Sequence, residues 1–196
     1  MKIEQKILAN NLNTLFIHSP GSTSASVQMW FRAGSALEKT KDLGIAHFLE
    51  HMFFKGTKKR PGAQIARDVE SYGGEINAFT SFDYTCYYIN TPNRKLSKTV
   101  EILMDMVTNP LFEEKELVPE REVVFEEYRR SLDNPSQFNF FHLQKNCFTK
   151  NYKYPILGTE KTIKNFTRDQ LINFRNENYN SSNALLIVSG DIQHEE

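Results

Sequence analysis

Hydrophobic and polar residues alternate along several short stretches of the chain and recur every three to four positions along others. Alternation is typical of a half-buried β-strand, and the longer spacing is typical of an amphipathic helix. Alternating stretches and short apolar runs predict strands at 7–8, 12–17, 26–32, 75–80, 84–89 and 185–188. Helical spacing predicts helices at about 43–54, 63–72, 91–107, 113–132, 137–148 and 168–178.

The turn and cap signals between these stretches give the order of the elements. Asn10-Asn11 is typical of a tight turn between the first two strands, and Asp42 is a predicted cap for the helix at 43–54. Because the strands cluster instead of alternating strictly with helices, we predict an α+β fold. Its expected form is a mixed, largely antiparallel sheet with helices packed on one face. No repeat or linker divides the chain, so residues 1–196 are predicted to be one domain.

Composition narrows the class of protein. Of the 196 residues, 39% are hydrophobic and 24% are charged, as in a globular domain. The chain has 24 Lys and Arg residues and 24 Asp and Glu residues, so its formal net charge is zero. A general nucleic-acid binder normally carries an excess of basic residues, and the zero charge argues against that class. No apolar run approaches the ~18 residues of a membrane span, and no apolar signal segment follows Met1. We therefore expect a cytoplasmic protein that binds neither nucleic acid nor membranes.

The chemistry that stands out is His47-Phe48-Leu49-Glu50-His51, inside a predicted helix. Positions i and i+4 lie one above the other on a helix, so both imidazoles can face one ion. Glu50 lies on the same side and can exchange protons with a nearby water. Chance produces this pattern in about one such chain per hundred. Two imidazoles and a neighbouring carboxylate are the arrangement that a catalytic zinc site requires.

Two histidines are too few, because catalytic zinc usually has three protein ligands. The remaining histidines are His18 in the predicted hairpin, His142 in an aromatic-rich helix and His194 in the tail. The acidic helix at 120–130 is a better source of the third ligand. Its Glu120 and Glu127 share a face within ~20°, whereas Glu126 points about 100° away. The residues alone favour Glu127 over Glu126 and leave both open.

Several further motifs surround this pattern. They are 31–35 (FRAGS), 44–46 (GIA), 52–57 (MFFKGT), 73–80 (GGEINAFT), 120–123 (EREV) and 186–191 (LIVSGD). With them the sequence resembles the inverted-motif zinc peptidases, or inverzincins, of the pitrilysin, insulin-degrading enzyme and mitochondrial processing peptidase type. The inverted H-x-x-E-H order is the signature of that family. The resemblance covers nearly the whole chain and corresponds to the family's N-terminal domain.

The resemblance implies a role for each residue of the pattern. His47 and His51 correspond to zinc ligands, and Glu127 corresponds to the third ligand because its separation from His51 fits the family's spacing. Glu50 corresponds to the general base. Glu120 corresponds to a second acidic residue that supports the site without binding the metal. The implied reaction is peptide-bond hydrolysis, in which Glu50 takes a proton from the attacking water and returns it to the leaving amine.

The resemblance also implies where a substrate lies. In the family, the strand corresponding to 75–80 receives an extended peptide, with Asn77 and Ala78 near the scissile bond. Pairing through main-chain hydrogen bonds is indifferent to side-chain sequence. The alternative is an ordinary strand of the sheet that touches no ligand.

The family pairs two related domains around a chamber, and this chain matches the first of them. The expected partners are therefore a peptide substrate and a homologous second domain or partner subunit, or a second copy of the chain in a homodimer. Some relatives are non-catalytic scaffolds or subunits that present substrate, and this is the alternative function. Such relatives usually lack motif residues, whereas His47, Glu50, His51 and Glu127 are all present here.

Overall fold

A computed structural model describes residues 1–192 of the chain. In this range the strands are β1 (Lys2–Ile7), β2 (Asn13–His18), β3 (Ser24–Phe31), β4 (Glu75–Thr80), β5 (Thr85–Pro92) and β6 (Ala184–Gly190). The α-helices are α1 (Ile45–Phe53), α2 (Gln64–Glu70), α3 (Leu96–Thr108), α4 (Glu114–Asp133), α5 (Pro135–Cys147), α6 (Glu160–Asn165) and α7 (Arg168–Asn178). His194, one of the five histidines, lies outside the described residues.

The described strands form one mixed sheet in the order β1-β2-β6-β3-β5-β4. Neighbouring strands are antiparallel except for β2 and β6, which are parallel. The predicted α+β class with a largely antiparallel mixed sheet is therefore confirmed. This order places β4 at an edge of the sheet, where it pairs with β5, the next strand along the chain.

Alternation along β3 shows why the helices cover one face. Ala25, Val27, Met29 and Phe31 are buried, whereas the residues between them are partly exposed. The buried residues join a core formed with apolar side chains of α1, α3 and α4. Since successive side chains of a strand point to opposite faces, the helices pack on the face that carries these four residues.

The structure corrects several element predictions. The first strand covers Lys2–Ile7 and not 7–8, and α6 was not predicted because six residues are too few to show helical spacing. Asp42 does not cap α1. It accepts a hydrogen bond from the Gln170 side chain at 2.7 Å, and the residue before α1 is Gly44.

Between Met1 and Ile192, no helix has both the length and the apolar character that are needed to cross a membrane.

Candidate metal centre

Helix α1 carries apolar core residues on one face and the residues of the H-x-x-E-H pattern on another. Ile45, Phe48, Leu49 and Met52 are almost completely buried in the core. Because each residue of a helix is turned by about 100° from the one before it, His47, Glu50 and His51 occupy another side of the helix. His47 and Glu50 are each 8% exposed, so the polar side of α1 is also shielded by neighbouring elements.

The start of α1 is held by a buried carboxyl group. Glu38, 4% exposed, accepts hydrogen bonds from the backbone N–H groups of Gly44 at 2.7 Å and Ala46 at 2.9 Å. These donors belong to the helix N-terminus, where backbone N–H groups lack partners within the helix. Glu38 therefore has the capping role that the sequence predicts for Asp42. No local capping signal marks Glu38, because it lies seven positions before Ile45, the first residue of the helix, outside the usual capping positions.

Gly44 permits the turn into α1. Its φ of 92° lies in the left-handed region that favours glycine. A Cβ atom at this position would lie 2.5 Å from the backbone oxygen of Leu157. The glycine thus allows the segment before α6 to pack closely against the start of the helix.

Helix α4 brings a third donor to the two histidines. One ligand atom each from His47, His51 and Glu127 can be chosen so that all lie within 4.8 Å of one another. Glu127 Oε2 is 3.7 Å from His47 Nε2 and 3.6 Å from His51 Nε2. Two donors that each lie ~2.1 Å from one ion are about 3.4 Å apart at a tetrahedral angle. The three side chains therefore fit a zinc ion in both spacing and chemistry.

Glu120 orients His51 from behind. Glu120 Oε1 is 2.7 Å from His51 Nδ1, and its Oε2 forms an ion pair with Lys55. A proton on Nδ1 that is donated to Glu120 leaves Nε2 free to bind a metal, as in carboxylate–histidine–zinc arrangements. Glu120 thus lies beside the three donors and contacts His51 and Lys55. The contact of Lys55 was not predicted.

These contacts set the charge of His51 and of Glu120. Burial opposes protonation of His51, but the hydrogen bond to Glu120 and the nearby Glu127 carboxylate outweigh it and raise its pKa to about 9. Burial would raise the pKa of Glu120, yet His51 and Lys55 hold it below its ordinary value. The pKa of Glu127 is lowered chiefly by its close contact with the His51 ring. Both carboxylates are thus kept ionised.

His47 has the opposite character. Burial, reinforced by repulsion from His51, lowers its pKa to about 4. Its Nδ1 is buried and has no hydrogen-bond partner among the described residues, while its Nε2 is directed at Glu127. His47 is therefore neutral at pH 7, and neutral imidazole is the form that binds metals.

Glu50 lies against β4. Its Oε2 accepts a hydrogen bond of 2.5 Å from the hydroxyl of Thr80. Burial raises the pKa of Glu50, and this hydrogen bond lowers it in part. A carboxyl group with a raised pKa binds a proton more readily than an ordinary carboxylate, as a group that accepts and returns a proton requires.

The other residues that the sequence singled out lie outside the cluster of three donors. Glu126 is exposed and forms an ion pair with Arg129 at 2.7 Å, away from the histidines. Asn77 and Ala78 lie on the edge strand β4, and the Asn77 side chain accepts a hydrogen bond from the Ala78 N–H at 2.8 Å. His18 and His142 are absent from the three-donor cluster.

Residues 13–160 match the sequence profile of the insulinase family, peptidase family M16. The chain belongs to this family. The resemblance to pitrilysin-type zinc peptidases is therefore confirmed. An uncharacterized zinc protease of Rickettsia bellii is 37% identical over 190 residues, which cover 96% of this chain and 46% of that protein.

Two further comparisons agree with this family. The β subunit of the Neurospora crassa mitochondrial processing peptidase is 33% identical over 197 residues, covering all of this chain and 41% of that subunit. The crystal structure of a Helicobacter pylori protease superimposes with a TM-score of 0.93 at 32% identity, covering 99% of this chain and 47% of that one. The chain thus spans less than half the length of the relatives that it matches.

Proposed function

We propose that this chain is the zinc-binding catalytic domain of a metalloendopeptidase that hydrolyses extended or unfolded peptides. The observation that carries the proposal is the convergence of His47, His51 and Glu127, with Glu50 on the same helix as the histidines. In this proposal the first three hold the metal and Glu50 is the general base. The family membership and the names of the zinc protease relatives support it.

The proposed chemistry divides between the ion and the protein. Bound zinc supplies Lewis acidity toward the scissile carbonyl and lowers the pKa of a coordinated water. Glu50 takes the proton from the attacking water and later delivers it to the leaving amine. Glu120 keeps the His51 ring in the orientation that binding requires.

The proposed peptide site is the free edge of β4. In the described residues β4 pairs with β5 on one side, and no strand pairs with its other side. An edge strand offers unpaired main-chain groups to an extended peptide. Asn77 and Ala78 would then lie beside the peptide backbone.

A homologous second domain or partner subunit is the proposed complement of this chain, because the matched relatives are more than twice as long as the matched region. The competing function is a zinc-binding scaffold or substrate-presenting subunit. Such a role needs no general base, whereas Glu50 is present and buried beside the donor cluster. A cytoplasmic location stays a prediction from the sequence.

The test compares four forms of the full-length protein that contains this chain: wild type, His51→Ala, Glu50→Gln and Glu126→Gln. Zinc content is measured by elemental analysis, and hydrolysis with a fluorogenic peptide. We expect one zinc per chain in all except His51→Ala, and turnover in wild type and Glu126→Gln alone. Glu50→Gln should keep zinc because the carboxylate handles protons and does not bind the metal. Zinc-loaded wild type without turnover would favour the scaffold function.

A further inference from the structure

The hydroxyl group of Thr80 contacts the side chain that we propose as the general base. Thr80 is the last residue of β4, and its Oγ1 donates to Glu50 Oε2 at 2.5 Å. The contact joins two elements that are 30 positions apart in the chain, the edge strand β4 and helix α1. It is therefore a product of the fold and not of local sequence.

We propose that Thr80 is a positioning residue that fixes the rotamer of Glu50 and reserves Oε1 for proton transfer. The inference rests on the proposed function of Glu50. The hydrogen bond from Thr80 occupies Oε2, so Oε1 is the oxygen that is left for the attacking water. The attacking water therefore gives its proton to Oε1, and Thr80 keeps Oε2 occupied throughout the reaction.

The surroundings of Thr80 leave its hydroxyl free for this contact. Thr80 is opposite Thr85 in the pairing of β4 with β5. Thr85 is buried and donates its own hydroxyl to the backbone oxygen of Ala33 at 2.7 Å, while its distance to Thr80 Oγ1 is 3.5 Å. Thr85 thus has a better acceptor elsewhere, and Thr80 donates to Glu50.

The position on β4 gives the contact a second consequence. Along this strand Ile76, Ala78 and Thr80 share one face, and Ile76 and Ala78 pack against the core. The same strand offers its free edge to the proposed peptide. A peptide that pairs with β4 restrains the strand and, through Thr80, restrains Glu50. Thr80 therefore holds Glu50 to the strand on which the proposed peptide lies.

Steady-state kinetics of the zinc-loaded, full-length protein separate positioning from a purely structural role. Thr80→Val keeps the shape of the side chain and removes the donor, whereas Thr80→Ser keeps the donor. Thr14→Val is the control, because Thr14 is also a strand threonine whose hydroxyl donates a hydrogen bond, here to the backbone oxygen of Lys6. Thr14 is fully buried, whereas Thr80 is half-buried, so the control substitution is made in the tighter environment.

We expect Thr80→Val to lower kcat about 10- to 100-fold, a typical cost of losing an outer contact of a site. KM and zinc content should stay unchanged, because the side chain contacts neither the peptide nor the metal. Thr80→Ser should restore most of the wild-type kcat, and Thr14→Val should keep it. Equal kcat in wild type and Thr80→Val overturns the proposal.

A second measurement uses the metal-free protein and does not depend on activity. Thermal unfolding is followed for Thr80→Val in the wild-type and Glu50→Ala backgrounds, as a double-mutant cycle. We expect the loss of Tm to be clearly larger in the wild-type background, because valine there leaves a buried carboxylate oxygen without its donor. Equal losses in both backgrounds overturn the contact. Wild-type protein without peptide turnover overturns the proposed function and the positioning role with it. If the wild type is active and Thr80→Val has the same kcat, only the positioning role of Thr80 is overturned.

Discussion

Glu126 and Glu127 are neighbours in the chain, yet the fold gives them opposite surroundings. Glu127 faces the two histidines, and Glu126 is exposed beside Arg129. We therefore expect Glu127→Gln to weaken zinc binding strongly and Glu126→Gln to leave it nearly unchanged. Glu120→Gln should fall between them, with a ~10- to 100-fold loss, because it acts through His51.

The measurement is competition for zinc against a chelator of known affinity. Glu126→Gln is the matched control, since it makes the same chemical change one position away. A loss in Glu126→Gln equal to that in Glu127→Gln would contradict the assignment of the third donor.

The start of helix α1 should make stability depend on pH. Burial raises the pKa of Glu38 to about 8, although two backbone N–H groups and the helix N-terminus favour its ionised form. Its ordinary pKa is 4.5. Between these values the folded protein holds a proton that the unfolded chain releases, so the free energy of unfolding falls as pH rises through this window. This contribution is complete below pH ~4.5 and lost above pH ~8.

Glutamine at position 38 cannot ionise, so Glu38→Gln lacks this dependence. We expect the free energy of unfolding of wild type minus that of the variant to decrease from pH 5.5 to pH 8.5. Urea unfolding of the metal-free proteins measures this difference, and other titrating groups cancel in it. A difference that stays flat over this range would show that the helix N-terminus and its N–H groups outweigh burial, because a lowered pKa would confine the pH dependence to values below about 4.5.

The same helix start predicts an unequal pair of glycine substitutions. Gly44 and Gly21 both have positive φ, 92° and 77°, so alanine is strained at either position. A Cβ atom at Gly44 would also meet the Leu157 backbone oxygen at 2.5 Å, whereas at Gly21 nothing lies within 4 Å. Gly44→Ala should therefore cost roughly 1–3 kcal/mol more than Gly21→Ala.

Urea unfolding measures both costs, and zinc affinity should fall in Gly44→Ala alone because the first turn of α1 carries His47. Equal destabilisation of the two variants would show that the segment at Leu157 moves aside without cost.

The chain as a whole exposes part of its donor cluster. The Glu127 side chain is 40% exposed in the absence of any further domain. We expect the zinc-loaded chain 1–196 to cleave a fluorogenic peptide poorly, because the peptide is held on one side only. Misplacement by ~1 Å can cost 10²-fold in rate. Addition of the proposed homologous second domain or partner subunit should restore turnover, with Glu50→Gln as the control. Vigorous Glu50-dependent turnover by this chain alone would contradict the need for a complement.

The sequence predicted those features that depend on local spacing. A helix repeats every 3.6 residues wherever it lies, so His47, Glu50 and His51 could be placed on one side of α1 before any packing was known. The same rule separated Glu126 from Glu127 by about 100°. Alternation likewise predicted β3 and β4, because a strand that buries one face must alternate.

Other features depend on how distant elements pack, and no local pattern carries that information. The sequence left Glu126 and Glu127 open because the face that α4 turns toward α1 is set by packing of both helices in one core. The contacts of Glu38 with Gly44, Lys55 with Glu120 and Thr80 with Glu50 join separate elements. Sheet register and loop packing create these contacts, and both arise when segments far apart in sequence bury their apolar surface together.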